Sequence, residues 1–440
     1  MADGSAGAPE RSYDVAVIGA GPAGLLAAGR AAMLGARVLL LEKMEKPLRK
    51  LRITGKGRCN LTNLRPMEEH LKRIHPEPRF LRQAFGAFFN RELIALLEAN
   101  GVETKTERGD RVFPASDRAW DVAEGLLAWA RGLGVEILSR ARVERLEIAD
   151  GVCTGLCFTH AGVERRVAAR CCVIATGGRS YPATGSTGDG HRLAEAAGHR
   201  IEPLRPSLVG VETVPAYPAA QGLNLRNVQL TLWVDGRKAA SEFGEAEFTE
   251  RGLDGPIVLK LSRRIVDTMA AGRKLELTLD LKPALDAPKL EARLLREAGA
   301  RAGGACADLL RAFLPPELVP VFAARLGVDP AAPMAQLAGP GRKKLLALLK
   351  ELRFAVSGHG GWEEAIVTAG GVSLKELDPR TMASKRIGNL HFAGEVLDLD
   401  ADTGGYNLQI AFSTGWLAGQ SAARSAAETA SGSAAGPGQR

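Results

Sequence analysis

The chain has 440 residues, 45% hydrophobic and 25% charged, with 58 Lys and Arg against 50 Asp and Glu for a formal net charge of +8. That length predicts two or three domains with a sizeable core, and the composition excludes disorder, collagen-like repeats or a coiled-coil rod for most of the chain. No apolar run reaches the ~18 residues of a membrane span and the opening MADGSAGAPERS lacks the apolar core of a secretory signal, so a cytoplasmic protein without a membrane partner is expected.

Residues 1–11 are small and polar and are expected to be a disordered tail. The first ordered element is YDVAVIGAGPAGLLAAGRAAMLGARVLLLEK. An apolar strand turns through Gly19, Gly21 and Gly24 into an Ala/Leu-rich helix, and a second strand ends in Glu42, 18 positions after the third glycine. This is a βαβ unit with GxGxxG between strand and helix, the fingerprint of dinucleotide binding. Gly19 suits the tight turn, Gly21 the close approach of backbone to a pyrophosphate, and Gly24 helix-to-strand packing. The helix N-terminus, beginning at Pro22 and Ala23, offers N–H groups and partial positive charge to phosphates. Glu42 can accept from an adenosine ribose.

Residues 43–82 hold twelve Lys and Arg against four Glu, a surplus equal to that of the whole chain. It reads either as a solvated basic loop and helix or as a surface for something anionic. Amphipathic stretches and a β meander follow, closing on the apolar run CCVIATGG, which ends in a tight turn at Thr176 and Gly177. The six cysteines, at 59, 153, 157, 171, 172 and 306, form no CxxC pair. Neither a disulfide framework nor a metal site is expected. Cys153 and Cys157 fall on a strand, and Cys171 and Cys172 read as small buried hydrophobes.

From about 200 the texture becomes antiparallel β, and from 283 to 352 helical. After about 365 a strand, a Gly-rich turn and a final helix return. The predicted organisation is an α/β Rossmann-like domain of 12–199 and 366–424, three-layered with a mostly parallel sheet. It is interrupted by an inserted β domain (200–282 and 353–365) carrying a helical subdomain (283–352), with 425–440 a disordered tail. The last segment must then lie close to the first. His359, alone in a Gly-rich turn, reads as structural or as a substrate contact.

Four blocks carry a family resemblance: DVAVIGAGPAGLLAA, LRITGKGRCNLTN, VIATGGRSYPATGSTGDG, and VTAGGVSLKELDPRTM with LHFAGEVLDLDADTGGYNLQIAFSTGWLAG. Through them the chain resembles the BaiN/RdsA-like flavoproteins, NAD(P)/FAD-dependent oxidoreductases of the two-dinucleotide-binding-domain class, over nearly its whole length. A weaker block, FTERGLDGPIVLKLS, has Glu250 and Asp254 where His and Ser are usual.

The resemblance implies FAD, held by Gly19, Gly21, Pro22, Ala23, Gly24, Glu42 and Lys43, with Lys56, Gly57 and Asn60 of the basic loop and with Thr176 and Gly177. Gly394 and Glu395 would meet the ribityl chain. Asp402, Thr403, Gly404, Gly405, Tyr406 and Asn407 would aim the last helix N-terminus at the flavin pyrimidine. Arg58 is expected to lower the pKa of Cys59 and favour flavin reduction, and Cys59 to lie near the flavin as a proton donor or simply to pack. No second fingerprint marks a nicotinamide site, so NAD(P)H is a possible reductant without its own Rossmann domain. The inserted domain is expected to cover the flavin and select the substrate.

Family activities include uridine reduction in large-subunit ribosomal RNA, reduction of unsaturated bile-acid intermediates and oxidation of amino ketones. The first two share hydride addition to a carbonyl-conjugated C=C. Ribosomal RNA is the favoured partner, because the charge surplus adjoins the GRCN loop. A small unsaturated carbonyl substrate and a non-catalytic, flavin-stabilised RNA-binding factor are the alternatives; the oligomeric state is not legible.

Overall fold

A computed structural model describes residues 12–434; the expected tail at 1–11, and residues 435–440 of the tail expected at 425–440, lie outside the described residues. The chain divides into two compact units, one of the described residues up to Arg205 and from Ile366 onward, the other Pro206–Ala365.

In the first unit a seven-stranded sheet runs in the order Glu136–Leu138, Val38–Leu41, Ser12–Ile18, Val163–Ile174, Val152–His160, Ala141–Ala149, with Leu390–Phe392 also paired to Val163–Ile174. Ser12–Ile18 pairs in parallel with both neighbours, Val15 opposite Val38 and Cys171, while Cys172 lies opposite Leu390. The antiparallel part is the meander Ala141–Ile174. VLLL of the second strand is buried throughout, the continuous apolar pattern of a parallel strand covered on both faces. This is the predicted Rossmann-like sheet.

The first helix (Pro22–Met33) and the last (Tyr406–Ala434) cross at very close range. A Cβ on Gly415 would collide with the backbone of Ala23, and one on Gly419 with that of Ala27. Arg30 donates to Gln420 (2.7 Å) and stacks on Trp416 (4.6 Å to the ring centroid). The last helix corrects the expectation that order ends at 424. Ala422, Ala423 and Ala426 are buried, and an Ala-rich segment that is both strongly helix-forming and docked continues as helix.

Two further boundaries are corrected. Residues 200–205 belong with the first unit, where Ser373 N–H donates to the Arg200 carbonyl (2.9 Å) and Ile201–Ser207 pairs with Val367–Val372. In the second unit the antiparallel strands close into a six-stranded barrel: Val211–Val214, Gly252–Asp254, Arg237–Phe248, Asn224–Val234, Leu275–Asp280, Leu352–His359. The helices of 283–352 form no separate subdomain, since Leu290, Phe322 and Leu345 share one core with barrel residues Leu232, Leu277 and Phe354. Among the described residues no helix is long and apolar enough to cross a membrane.

Candidate cofactor site

The site grows from the carboxyl ends of the parallel strands, where an open α/β sheet binds its ligands. Gly19 N–H donates to Leu41 O (2.8 Å), Ala175 N–H to Ile18 O (2.8 Å) and Ala393 N–H to Ile174 O (3.0 Å). These bonds bring Gly19, Glu42, Thr176–Gly178 and Gly394–Glu395 to one edge.

The three fingerprint glycines have different reasons to be glycine. Gly19 sits at φ +97°, and a Cβ there would meet Ala175 O at 2.7 Å. A Cβ on Gly24 would run into Gly19 O. At Gly21 no described atom lies within 4 Å of an added Cβ, so packing does not require glycine there. Gly21 caps a helix whose first-turn N–H groups no side chain satisfies, with Pro22 in the first turn. Open space over an uncapped helix N-terminus is what a pyrophosphate needs, so these residues fit a dinucleotide. Ala23 is a packing residue, since a Cβ on Gly394 would meet its Cβ at 2.7 Å.

Glu42 accepts from Ala20 N–H (3.0 Å) and Met44 N–H (2.8 Å). Burial raises its pKa against those N–H groups, Lys43 and Arg49, which lower it. Lys43 is not turned to the cradle. It pairs with Asp189 (2.7 Å) and bonds Thr187, because the TGDG turn brings an acid beside it. Thr176 and Gly177 lie at the strand end, Gly177 at φ +76°.

The basic loop and the carboxy-terminal turn meet. Asn60, oriented so that its amide nitrogen faces Thr62 O (3.1 Å) and Val112 O (3.3 Å), accepts from Gly405 N–H (3.1 Å). Thr62 Oγ1 donates to Gln409 (2.6 Å), and Asn63 Nδ2 to Gly404 O (3.4 Å). Gly405, at φ +97°, would place a Cβ 2.6 Å from the Thr62 backbone. Asn407 closes the turn, accepting from Ala401 N–H (2.9 Å) and donating to Ala401 O (2.7 Å). Asp402 pairs with Arg73 (3.4 Å), Thr403 is half-buried, and the Tyr406 ring packs edge-on to His70 at 4.8 Å.

The structure corrects the electrostatics expected of Arg58 and Cys59. The Arg58 guanidinium is held by Asp117 (2.9 Å) and Glu107 and stacks on Phe113 (4.4 Å), so two carboxylates neutralise it. Cys59 is fully buried, and burial pushes its thiol up to about 12 against a hydrogen bond with Thr54. A shielded, protonated thiol is neither a thiolate nor open to substrate. Lys56 is exposed and, with Gly55, Gly57 and Cys59, has positive φ, a left-handed winding that costs energy at the two non-glycine positions. Of the twelve cations in 43–82, eight pair with carboxylates, six of them with acids outside that window. The local surplus is therefore mostly neutralised within the chain.

Sequence reasoning missed Lys50, Ser180 and Thr368. Lys50 Nζ reaches Glu395 (2.8 Å) and Ser180 Oγ (2.7 Å), and Glu395 also accepts from Ser180 Oγ (2.9 Å) and Thr368 N–H (2.8 Å). Burial raises the Glu395 pKa, but Lys50, Thr368 and Ser180 outweigh it and hold the carboxyl below its usual range. Four separate segments build this cluster, so spacing along the chain carried no signal for it. Gly415 and Gly419, four apart on one helix face, did carry a close-packing signal.

The fold and the glycine cradle define a Rossmann-type dinucleotide-binding protein. Residues 13–421 match the family described as HI0933-like protein Rossmann domain, and the chain belongs to it. The chain is 31% identical to the 3-dehydro-bile acid delta(4,6)-reductase of Clostridium scindens, over 93% of this chain and 98% of that one. It is also 31% identical to the ribosomal RNA dihydrouridine synthase of Escherichia coli, over 93% and 97%. Among solved structures, the 3-ketosteroid delta1-dehydrogenase of Sterolibacterium denitrificans aligns with a TM-score of 0.50 at 15% identity, over 94% of this chain and 100% of that one, a likeness of fold.

Proposed function

We propose that this chain uses FAD to reduce a carbonyl-conjugated C=C, and that its substrate is uridine in large-subunit ribosomal RNA, giving dihydrouridine. The reaction class is supported by the relatives named 3-dehydro-bile acid delta(4,6)-reductase and ribosomal RNA dihydrouridine synthase, and the observation that carries the cofactor reading is the open helix N-terminus at Gly21, whose helix packs against the last one at Ala23 and Gly415. When bound, FAD supplies the hydride. The chain's part is to hold it. The Pro22 helix N-terminus would receive the pyrophosphate, Glu42 would accept from the ribose, and the last helix would offer its N-terminal N–H groups to the flavin. Cys59, closed off from solvent, is not assigned the proton that completes the reduction.

For the substrate, support comes from the relatives named ribosomal RNA dihydrouridine synthase, which align over nearly their whole length. A second reading, a steroid-like enone, is supported by the equally similar bile-acid reductase and by the internal pairing of the basic segment. Loss of the encoding gene should erase a dihydrouridine from large-subunit ribosomal RNA; an unaltered modification map refutes the RNA reading. NAD(P)H is proposed as the reductant, and anaerobic mixing with NADPH or NADH should bleach the flavin.

A further inference from the structure

We propose that Lys50 is a positioning residue of the cofactor cradle, fixing the Glu395 carboxylate at the strand end so that one of its oxygens can accept from a hydroxylated portion of FAD. The proposal rests on the flavoprotein reading and adds a residue that no fingerprint motif contains.

The geometry assigns different duties to the two Glu395 oxygens. Oε1 accepts from Thr368 N–H (2.8 Å), Ser180 Oγ (2.9 Å) and Lys50 (3.1 Å), which leaves it no room for another donor. Among the described residues Oε2 accepts from Lys50 alone (2.8 Å) and keeps acceptor capacity. The side chain is 21% exposed and so not sealed from a ligand. Gly178 protects the arrangement, since a Cβ there would meet Glu395 Oε1 at 2.7 Å and Thr368 Cβ at 2.6 Å. Gly394 N–H is tied to Thr414 Oγ1 (2.9 Å), which anchors the same turn to the last helix.

His191, on the helix Asp189–Ala196, also feels the Glu395 charge. Its ring is buried, and neither nitrogen closes a hydrogen bond of good geometry with a described residue. Burial lowers the imidazole pKa, against the Glu395 charge and the Val396 backbone, which raise it. Lys50 is thus the cation that balances Glu395. Without it a carboxyl in this setting would take up a proton and lose the acceptor.

The test is FAD affinity of the full chain, measured by flavin fluorescence from pH 6 to pH 8 on wild type, Lys50→Met, Lys50→Arg and Glu395→Gln, with the melting temperature of each apoprotein. Lys50→Met should bind FAD about tenfold more weakly or worse, and increasingly so toward pH 6, as expected for a lost charge-assisted acceptor. Wild type should be flat over that range, Lys50→Arg should restore most of the affinity and the flat profile, and Glu395→Gln should lose affinity without pH dependence. Wild-type affinity in Lys50→Met overturns the proposal. So does a pH-independent loss that follows the melting temperature and that Lys50→Arg does not rescue, which marks a purely structural lysine. Failure of the wild type to take up FAD refutes the flavoprotein reading instead, and is seen before any variant is compared.

Discussion

Gly419→Ala tests the helix crossing that joins the two ends of the site. A Cβ at Gly419 would lie 2.7 Å from both the C and Cα of Ala27 and closer still to its carbonyl oxygen, so rigid backbone rather than a flexible side chain must give way. Glycine to alanine within a helix otherwise stabilises by about 1 kcal/mol. Forcing an extra carbon into a closed contact costs about 1–3 kcal/mol. The net expectation is destabilisation by up to about 2 kcal/mol, with weakened FAD retention as the last helix is pushed from the first. Gly86→Ala is the internal control in the same unit. It sits in the helix Arg82–Ala87, exposed, with no described atom within 4 Å of an added Cβ, and should stabilise by up to about 1 kcal/mol. Urea unfolding followed by circular dichroism reads both. If Gly419→Ala matches Gly86→Ala in sign, the two helices do not meet at Gly419 and the assembly of the site described above is wrong.

Gly21→Glu should leave apoprotein stability within about 0.5 kcal/mol of wild type, because its Cβ meets open space at a helix start, yet abolish FAD uptake; retained uptake refutes the cradle. Lys56→Gly relieves a left-handed backbone at an exposed site and should stabilise by about 1 kcal/mol in thermal melts, and unchanged FAD affinity in that variant would remove Lys56 from the cofactor site. Cys59 binds its proton more tightly folded than unfolded, so folding stability falls as pH rises from the ordinary thiol value near 9.0 toward about 12. Cys59→Ala should flatten that alkaline slope, read by urea titration at each pH, and an unchanged slope contradicts the burial assigned to the thiol. His70 behaves oppositely. Its pKa is pushed down to about 4 by burial, against the Asn63 carbonyl, so stability falls as pH drops from 6.5 toward about 4, and His70→Asn should reduce that acid sensitivity.

The parallel sheet and its glycine turn were legible because local pattern determines them. Alternating apolar runs and the spacing of Gly19, Gly21 and Gly24 act within a few residues. The return of the last segment was legible because a strand, a Gly-rich turn and a helix reappear after about 365 and complete the sheet begun at the amino terminus. Long-range charge was not legible. Arg58 looked like a cation available to Cys59, but Glu107 and Asp117 arrive from a hairpin some fifty residues on, and Lys43 meets an acid from the TGDG turn. Lys50, Ser180 and Glu395 likewise come from three segments that only the folded sheet edge unites. The helices between 283 and 352 read as a unit because their periodicity is self-contained, whereas the core they share with the barrel depends on closure, which no single strand encodes.

The central claim is that the amino-terminal glycine cradle and the carboxy-terminal GGYN turn hold one flavin. It is tested most directly by purifying the chain, adding FAD, removing the excess and quantifying what remains bound from its visible absorption. The account predicts one FAD per chain for wild type and none for Gly21→Glu at equal apoprotein stability. A colourless wild-type protein after reconstitution, or equal flavin content in both, contradicts it.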